Sequence, residues 1–337
     1  MSKVAIVILN WNGRHFLEKY LHILIQNSPL EINGGSVEII VADNGSTDAS
    51  VEWLKEKFSS VRLIEFDKNY GFTGGYNKAL NQIEAEYFIL LNSDIRVDSN
   101  WLSPLIDFMD SHPRAGVCQP KVLSEANNDY FEYAGASGGF LDSFGFPYCR
   151  GRILSKVEKD QGQYDSALRI FWATGAAMVC RAQIFKDLGG LDESFFAHME
   201  EIDFCWRAQL VGWEVWAIPQ SRIFHVGGGT LPNNSPKKLY LNYRNNLLML
   251  YKNYPAKNKA KLIFARKCID GLSAIVYMLQ GKFSFVKSVF KAHHDFDKMK
   301  KHVIVSHASN NSKVIKLSPT FIILNFFVGK NMFSKLN

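Results

Sequence analysis

Carboxylates stand at several positions where they can do acid–base or metal chemistry. Asp43 and Asp94 each follow a short apolar run, and Glu200, Glu201 and Asp203 crowd three carboxylates into four residues before an aromatic stretch. Such crowding beside an apolar wall raises the pKa of at least one carboxyl, which suits a general base. A carboxylate combined with diphosphate oxygens is a ligand set that Mg²⁺ or Mn²⁺ favours. These residues therefore predict an acid–base site and a divalent-cation site.

Each of these positions also has an ordinary structural interpretation. Asp43 can close a turn and cap a helix, and Asp94 can cap the segment that follows it. The acidic cluster can be a solvated first helical turn, stabilised by the macrodipole. His225, after Arg222-Ile223-Phe224, is either a metal ligand or a core histidine. No single position decides between the two interpretations.

A glycine-rich run from Asn69 to Asn77 reads NYGFTGGYN and ends where a helix is predicted to begin. Backbone N–H groups at such a junction can face the phosphates or base of a ligand. The run differs from the dinucleotide fingerprint G-x-G-x-x-G, and a tight connection that needs positive φ explains its glycines equally well.

Short apolar strands alternate with helical stretches in the first half of the chain. The patterns predict strands at residues 4–9, 37–42, 61–66 and 87–91 and helices at 15–26, 49–58 and 76–83. This alternation is typical of an α/β fold with a doubly wound, mostly parallel sheet, in which ligands bind beyond the carboxyl ends of the strands. Polar clusters follow several of these strands.

The second half is less regular. The sequence of residues 130–163 predicts loops and short strands over the site, on its acceptor side. The pattern at residues 169–179 predicts a strand that leads into a helix at 182–188. Further patterns predict a helix at 200–211, a strand at 215–218, a flexible turn at Gly227-Gly228-Gly229, and helices at 239–251, 260–279 and 283–301.

Charge is divided unequally along the chain. Residues 231–337 hold 19 Lys and Arg against 3 Asp and Glu, a net +16, whereas residues 1–230 hold 20 against 29, a net −9. A basic segment can bind an anionic membrane surface or a nucleic acid, or can form a solvated helical face that binds nothing. The sequence leaves these three interpretations open at this point.

The five cysteines are widely spaced and form no C-x-x-C pair. This pattern argues against a disulfide framework and a zinc site, and it favours a reducing cytoplasm. The N-terminus is too short and polar for a signal peptide, and the apolar run at residues 321–328 is too short to span a bilayer. We expect a cytoplasmic protein without a transmembrane helix.

In their order along the chain, these clusters closely resemble the rhamnosyltransferase-like branch of glycosyltransferase family two, whose members have the glycosyltransferase A fold. The matching stretches are residues 6–12 (IVILNWN), 41–48 (VADNGSTD), 69–77 (NYGFTGGYN), 90–94 (LLNSD), 174–176 (TGA) and 200–207 (EEIDFCWR). The ordered set is specific, although each stretch alone is not.

The resemblance implies a nucleotide site at the ends of the first strands. In that family the first two strand-end loops hold the nucleotide, which assigns Asn10 and Asp43 to the base and ribose. By the same resemblance the loop with Asn69, Gly71 and Asn77 closes around the nucleotide.

The resemblance also implies a metal ligand set and a catalytic base. The metal motif of the family, D-x-D in many members, reads N-S-D here, so Asp94 is its only carboxylate and Asn92 is placed on the nucleotide. His225 is implied as the distant metal ligand for Mn²⁺ or Mg²⁺. Glu201 is implied as the catalytic base, with Asp203 orienting Glu201, the acceptor or the region around residue 207.

The implied reaction is an inverting transfer of a hexose or deoxyhexose, rhamnose being the first candidate, in surface polysaccharide synthesis. The donor is a nucleoside diphosphate sugar, and the acceptor is a hydroxyl of a glycan or lipid-linked glycan. Glu201 removes the acceptor proton during attack on the opposite face of the sugar, while a cation stabilises the leaving diphosphate.

Two parts of the chain are expected: a catalytic domain at residues 1–230 and a basic, mostly helical C-terminal extension at residues 231–337. The stretch 224–230, followed by YRNN at 243–246, also resembles such enzymes, and Arg244 is either a diphosphate contact or an exposed helical arginine. Since many acceptors in the family are lipid-linked, the extension is expected to hold the site beside the inner face of the cell membrane.

Three other classes of protein share some of these sequence features with the transferase. A catalytically silent nucleotide- or glycan-binding protein of the same fold is encouraged by the incomplete metal motif, but Asp94, Glu201 and His225 together argue against it. A nucleic-acid-binding protein has only the basic extension in its favour, so no nucleic-acid partner is expected. A hydride-transferring enzyme lacks its glycine fingerprint after the first strand.

Overall fold

The structure is a computed structural model and describes residues 1–227, 235–305 and 317–336. Its strands are β1 Ser2–Asn10, β2 Glu31–Ile32, β3 Gly35–Asp43, β4 Arg62–Glu65, β5 Ala85–Asn92, β6 Ile95–Val97, β7 Ala115–Ser124, β8 Gly139–Leu141, β9 Pro147–Cys149, β10 Arg152–Ile153, β11 Lys156–Val157, β12 Leu168–Arg169, β13 Ala177–Arg181 and β14 Glu214–His225. Its helices are α1 Arg14–Asn27, α2 Ser50–Lys57, α3 Gly71–Leu80, α4 Ser103–Ser111, α5 Ala182–Asp187, α6 Glu200–Leu210, α7 Pro236–Asn253, α8 Ala256–Leu279, α9 Phe283–Met299 and α10 Ile322–Phe327.

A ten-stranded sheet forms the centre of the molecule, in the order β12-β14-β7-β13-β5-β1-β3-β2, with β4 paired to β3 and β6 paired to β14. β1 pairs in parallel with both β3 and β5, and β7 pairs in parallel with β14. β13 runs antiparallel between β5 and β7. Apolar side chains from both faces are buried against helices, as a continuous apolar strand pattern requires. The predicted α/β class is confirmed.

Parallel pairing brings the polar strand ends together. Asn10 lies opposite Asp43 in the β1–β3 register, and Leu9 lies opposite Asn92 in the β1–β5 register. The predicted strand-end clusters therefore share one edge of the sheet, where ligands bind in folds of this type.

The glycine-rich run differs from its prediction. α3 begins at Gly71, five residues before the predicted start at Tyr76, so most of the run is helix rather than loop. Packing explains the difference: a Cβ at Gly75 would come within 2.8 Å of the Leu9 side chain. Gly75 lets this helix lie directly on β1, which outweighs the low helix propensity of glycine.

The predicted strand at residues 169–179 is also different. It is divided into β12 and β13, and the segment between them is irregular. Side chains bind part of its backbone, because Thr174 N–H donates to Gln119 Oε1 at 2.9 Å and Ala176 N–H donates to Thr174 Oγ1 at 3.2 Å. Local polar contacts therefore interrupt an apolar run that the pattern predicted as one strand.

The predicted irregular region at residues 130–163 contains four short strands, β8 to β11, which form a separate antiparallel sheet. The segment 317–336 packs on it, since Ile322 is buried beside Tyr148 and Ile153 and the Ile322 N–H donates to Asp142 Oδ2 at 3.0 Å. The end of the chain is thus attached to the predicted acceptor side.

The three long predicted helices of the extension are confirmed as α7, α8 and α9, with shifted ends. The predicted boundary at residues 230 and 231, and Gly228 and Gly229 of the predicted turn, lie outside the described residues. In the part of the chain that the structure describes, no helix has the length and hydropathy needed to cross a membrane.

Candidate active site

Side-chain hydrogen bonds join the ends of β1 and β3. Asn10 Nδ2 donates to Asp43 Oδ2 at 2.9 Å and to Ser46 Oγ at 3.2 Å, while Asp43 Oδ1 accepts from the Ser46 N–H at 2.8 Å. Asn10 and Asp43 are both buried, and Asn10 Oδ1 has no hydrogen-bond partner among the described residues. An unpaired buried acceptor costs about 1–3 kcal/mol, so this position is suited to a ligand that donates a hydrogen bond.

Asn44, which the sequence interpretation did not single out, connects this region to α3. Its Nδ2 donates to Asn69 Oδ1 at 3.1 Å and to the Gly71 carbonyl at 3.0 Å, and its Oδ1 accepts from the Tyr70 N–H at 3.0 Å. Its place beside Asp43 in the DNGS run was the available signal. We call Asn10, Asp43, Asn44 and Ser46 the strand-end cluster.

Two side chains that were predicted to contact the nucleotide instead bind other parts of the protein. Asn77 is buried, and its amide binds the Leu191 backbone at both ends, with Nδ2 donating at 2.8 Å and Oδ1 accepting at 2.9 Å. Arg244 donates to the carbonyls of Ser194 and Phe195 at 3.2 and 3.0 Å. These contacts favour structural roles for both side chains. Asn92 lies half-buried at the end of β5.

Asp94 and His225 meet at the same edge of the sheet. His225 Nε2 lies 3.2 Å from Asp94 Oδ1, and His225 Nδ1 lies 3.5 Å from Glu132 Oε1. Burial lowers the pKa of His225, but the adjacent carboxylates of Asp94 and Glu132 outweigh burial and raise it to about 10. The sequence did not reveal Glu132, because it lies in the region predicted only as irregular.

These residues fit part of a divalent-cation site. Across residues 1–227, 235–305 and 317–336, no group of three or more His, Cys, Asp or Glu side chains is arranged to hold a metal ion. Asp94 supplies one carboxylate oxygen, and His225 supplies one imidazole nitrogen when cation binding displaces its proton; both side chains are buried. Because Mg²⁺ is commonly held by one or two carboxylates together with substrate phosphates, this donor pair is compatible with an ion that a diphosphate helps to bind.

Two neighbouring glutamates begin α6 with shielded carboxylates. Glu200 is buried and Glu201 half-buried, and one oxygen of each has no hydrogen-bond partner among the described residues. Burial raises the pKa of Glu201 to about 7. Burial, with the nearby charges of Glu201 and Asp203, raises the pKa of Glu200 well above its ordinary value. The solvated acidic turn is therefore ruled out, and burial rather than repulsion is the first cause of both shifts.

Asp203 lies on α6 inside a network of cations and amides. Its Oδ2 accepts from Arg207 Nε at 2.7 Å and from Lys252 Nζ at 2.9 Å, and its Oδ1 accepts from Asn253 Nδ2 at 2.7 Å. Asp203 is fully buried. Of the three roles expected for it, these contacts favour orientation of the Arg207 region, and they also fasten α6 to α7.

The segment that precedes Glu201, residues 192–199, is held by α7, and we call it the Glu201 loop. Phe196, His198 and Met199 have φ values of +65°, +70° and +75°, a conformation that costs energy for residues other than glycine. Asn245 Nδ2 offsets this cost by donating to the carbonyls of Phe195, Ala197 and His198 at 3.0, 2.8 and 2.7 Å. The sequence interpretation named Arg244 in the YRNN stretch and missed Asn245 beside it.

Residues 174–176 connect these parts. A Cβ at Gly175 would lie 3.6 Å from Glu201 Cβ and 3.3 Å from the Phe72 ring, so α6 and α3 both pack closely on this glycine. The next residue, Ala176, accepts from the Asn92 N–H at 2.9 Å. Glu201, the first turn of α3 and the end of β5 therefore meet at one place.

The sequence profile described as Glycosyl transferase family 2 matches residues 5–189, more than half of the chain. The chain therefore belongs to this family, and the membership predicted from the ordered motifs is confirmed. A relative from Mycobacterium tuberculosis, N-acetylglucosaminyl-diphospho-decaprenol L-rhamnosyltransferase, is 23% identical over 203 residues, which cover 56% of this chain. The match spans 66% of that relative's length. Similarity to a rhamnosyltransferase agrees with the predicted rhamnosyltransferase-like branch.

Solved structures share the fold at low identity. TarS 1–349 of S. aureus in complex with UDP-GlcNAc has a TM-score of 0.56 at 14% identity, covering 90% of this chain and 84% of that one. The mannosyltransferase PcManGT from Pyrobaculum calidifontis, in complex with GDP-Man and Mn²⁺, has a TM-score of 0.53 at 11% identity, covering 89% of this chain and 87% of that one. The predicted glycosyltransferase A fold is confirmed.

Proposed function

We propose that this protein is an inverting glycosyltransferase that moves a hexose or deoxyhexose from a nucleoside diphosphate sugar to a hydroxyl of a glycan or lipid-linked glycan. The observation that carries the proposal is the meeting of the strand-end cluster, the Asp94–His225 pair and Glu201 at one edge of a family 2 sheet. Each group supplies a different part of the reaction.

In the proposed mechanism the strand-end cluster binds the nucleoside. Asp43 accepts hydrogen bonds from the base or ribose, and the unpaired Asn10 Oδ1 accepts one more. Asp94 and His225 would hold a divalent cation, Mn²⁺ or Mg²⁺, which when bound supplies positive charge against the leaving diphosphate. The Mn²⁺ in the PcManGT complex supports this assignment for the fold.

Glu201 acts as the general base. Its pKa of about 7 means that a large share of the carboxyl is ionised at neutral pH and yet basic enough to accept the acceptor hydroxyl proton. Attack from the face opposite the diphosphate gives one displacement and inversion, so no covalent enzyme intermediate is needed. Asp203 and Asn245 act as positioning residues, because their contacts hold α6 and the Glu201 loop.

Rhamnose is the first candidate for the transferred sugar, and a lipid-linked glycan in surface polysaccharide synthesis is the first candidate acceptor. The support is the Mycobacterium tuberculosis relative, whose name contains both a rhamnosyl group and a lipid diphosphate. Transfer to such an acceptor would take place at the inner face of the cell membrane.

The deciding experiment is a screen of purified protein against uridine, thymidine and guanosine diphosphate sugars, with Mn²⁺, with Mg²⁺ and with chelator. We expect calorimetry to detect cation-dependent binding of one nucleotide class, and slow release of the free sugar from that donor. Binding without any turnover, in the presence of lipid-linked and free glycan acceptors, would instead favour a silent binding protein. Absence of binding under all conditions would refute both functions.

A further inference from the structure

One face of α8 exposes apolar side chains along much of its length. Phe264, Leu272, Ile275 and Leu279 are 71, 63, 49 and 81% exposed, and their spacing by three, four or eight residues places them on one side of the helix. The opposite side packs inward through buried residues such as Leu262 and Ala274. Exposed apolar side chains that line one side of a helix, unlike single scattered ones, are typical of a protein or membrane contact surface.

Exposed apolar side chains are also present on α9, after the turn. Phe283, the first residue of α9, is 63% exposed, and Phe290, about two helical turns later, is 65% exposed. We call Phe264, Leu272, Ile275, Leu279, Phe283 and Phe290 the hairpin face.

Positive charge surrounds the hairpin face. Lysines on the exposed sides of the two helices and in the turn include Lys261, Lys282, Lys287 and Lys298. Each acidic residue of this hairpin has a cationic partner: Arg266 pairs with Asp270, Lys291 with Asp295, and both Lys267 and Lys300 with Asp297. The hairpin therefore presents exposed apolar groups and cations with no unpaired carboxylate among its described residues.

We infer that the hairpin face binds the surface of an anionic lipid bilayer. Leu279 and Phe283, on either side of the turn, enter the boundary between headgroups and acyl chains, and the lysines contact the lipid phosphates. The alternative of a second copy is disfavoured by charge, because a symmetric contact through this face would bring the lysines of both copies together. Binding lies in the plane of the membrane surface, because the exposed apolar side chains lie along one side of α8.

The hairpin is joined to α7, the helix that holds the Glu201 loop. Arg266 Nη1, on α8, donates to Asn246 Oδ1 on α7 at 2.7 Å. Asn246 adjoins Asn245, whose side chain binds the Glu201 loop. Delivery of a lipid-linked acceptor to the candidate active site rests on the proposed function, whereas the membrane contact itself does not.

The test is co-sedimentation of the full-length protein with vesicles of phosphatidylcholine alone and of phosphatidylcholine mixed with phosphatidylglycerol. We expect binding to the anionic vesicles that weakens as salt is raised, and binding at least tenfold weaker to the neutral ones. Equal binding to both compositions, or to neither, would overturn the inference.

Matched variants locate the contact. Leu279→Glu is compared with Leu30→Glu, because the two leucines are 81 and 85% exposed and either change adds the same charge. Leu279→Glu should weaken binding at least tenfold, and Leu30→Glu should leave it within twofold. Similarly, Lys282→Gln with Lys287→Gln should weaken binding on the order of twentyfold, whereas Lys55→Gln with Lys57→Gln on α2 should not.

Nucleotide-sugar binding by the same variants separates this inference from the proposed function. Wild-type vesicle binding without any donor binding would refute the transferase and leave the hairpin face in place. Equal vesicle binding by Leu279→Glu and Leu30→Glu would overturn the hairpin face, as would a dimer in sedimentation velocity that Leu279→Glu alone dissociates.

Discussion

The strand-end cluster and the Glu201 loop are built in opposite ways. Asn10 and Asp43 end adjacent parallel strands, so the register of the central sheet places them side by side. The Glu201 loop has three non-glycine residues at positive φ and depends on Asn245, from a helix some fifty residues further along the chain. The nucleotide side is therefore fixed by the core, whereas the geometry of the base depends on a contact with the C-terminal extension.

This difference predicts separate functional consequences. Changes in the strand-end cluster should weaken donor binding, and changes around the Glu201 loop should slow the chemical step while donor binding remains. Variants in the two regions test this separation between donor binding and the chemical step.

Glu201→Gln removes the proposed base while keeping the shape of the side chain. We expect kcat to fall roughly 10²–10⁴-fold, because that is the usual contribution of general base catalysis. Donor Kd, measured by calorimetry, should stay within threefold of wild type. A variant that retained more than a tenth of wild-type turnover would show that another group accepts the proton.

Asp94→Ala removes the only carboxylate of the N-S-D motif and leaves His225 paired with Glu132 alone. We expect cation-dependent donor binding to weaken roughly 100-fold. Loss of a residue that only hydrogen-bonds to a metal ligand costs about 10–100-fold in metal affinity, and loss of a ligand should cost at least the upper end of that range. Titration of Mn²⁺ against donor-bound protein measures the change. Asp98→Ala, which removes the half-buried partner of the exposed Arg222, is the control and should leave cation-dependent donor binding unchanged.

Asp43→Asn keeps the size of the side chain but removes its charge. A hydrogen bond to a charged group contributes about 1.5–3 kcal/mol, so donor Kd should rise on the order of 10- to 100-fold. Saturating donor should restore kcat nearly to wild type. If kcat fell instead and Kd did not change, the separation between the two regions would be wrong.

Asn245→Ala leaves three carbonyls of the Glu201 loop without their shared donor. We expect kcat to fall about tenfold at unchanged donor Kd, together with a loss of about 1–3 kcal/mol in the free energy of unfolding. Asn27→Ala removes one side-chain bond to the Val97 carbonyl and is the matched control. Loss of stability with normal kcat in Asn245→Ala would mean that the residue only supports the fold.

The sequence predicts the residues at the strand ends better than those placed by the packing of loops and helices. Asn10, Asp43 and Asp94 each follow an apolar run, so strand periodicity predicts both the sheet and the edge at which they meet. Glu132 and Asn245 could not be predicted in this way, since their partners are distant in sequence and their contacts depend on how loops and helices pack. The early start of α3 was missed because helix propensity disfavours glycine, whereas close packing on β1 requires it.

Burial separates the two glutamates that begin α6. Burial, followed by the nearby charges of Glu201 and Asp203, raises the pKa of Glu200 well above its ordinary value, which favours its neutral form, and a glutamine imitates that form. The pKa of Glu201, at about 7, lies where a base titrates during catalysis. Glu200→Gln is therefore the control for Glu201→Gln, and its turnover should stay within about threefold of wild type.

The pH dependence of kcat/KM, measured for wild type and both glutamine variants, tests the central claim most directly. A base is active when deprotonated, so activity of the wild type and of Glu200→Gln should rise with pH through a midpoint near 7, and be lost as pH falls below it. In Glu201→Gln the residual activity should lack this rise. An unchanged rise in Glu201→Gln would contradict the assignment of Glu201 as the catalytic base.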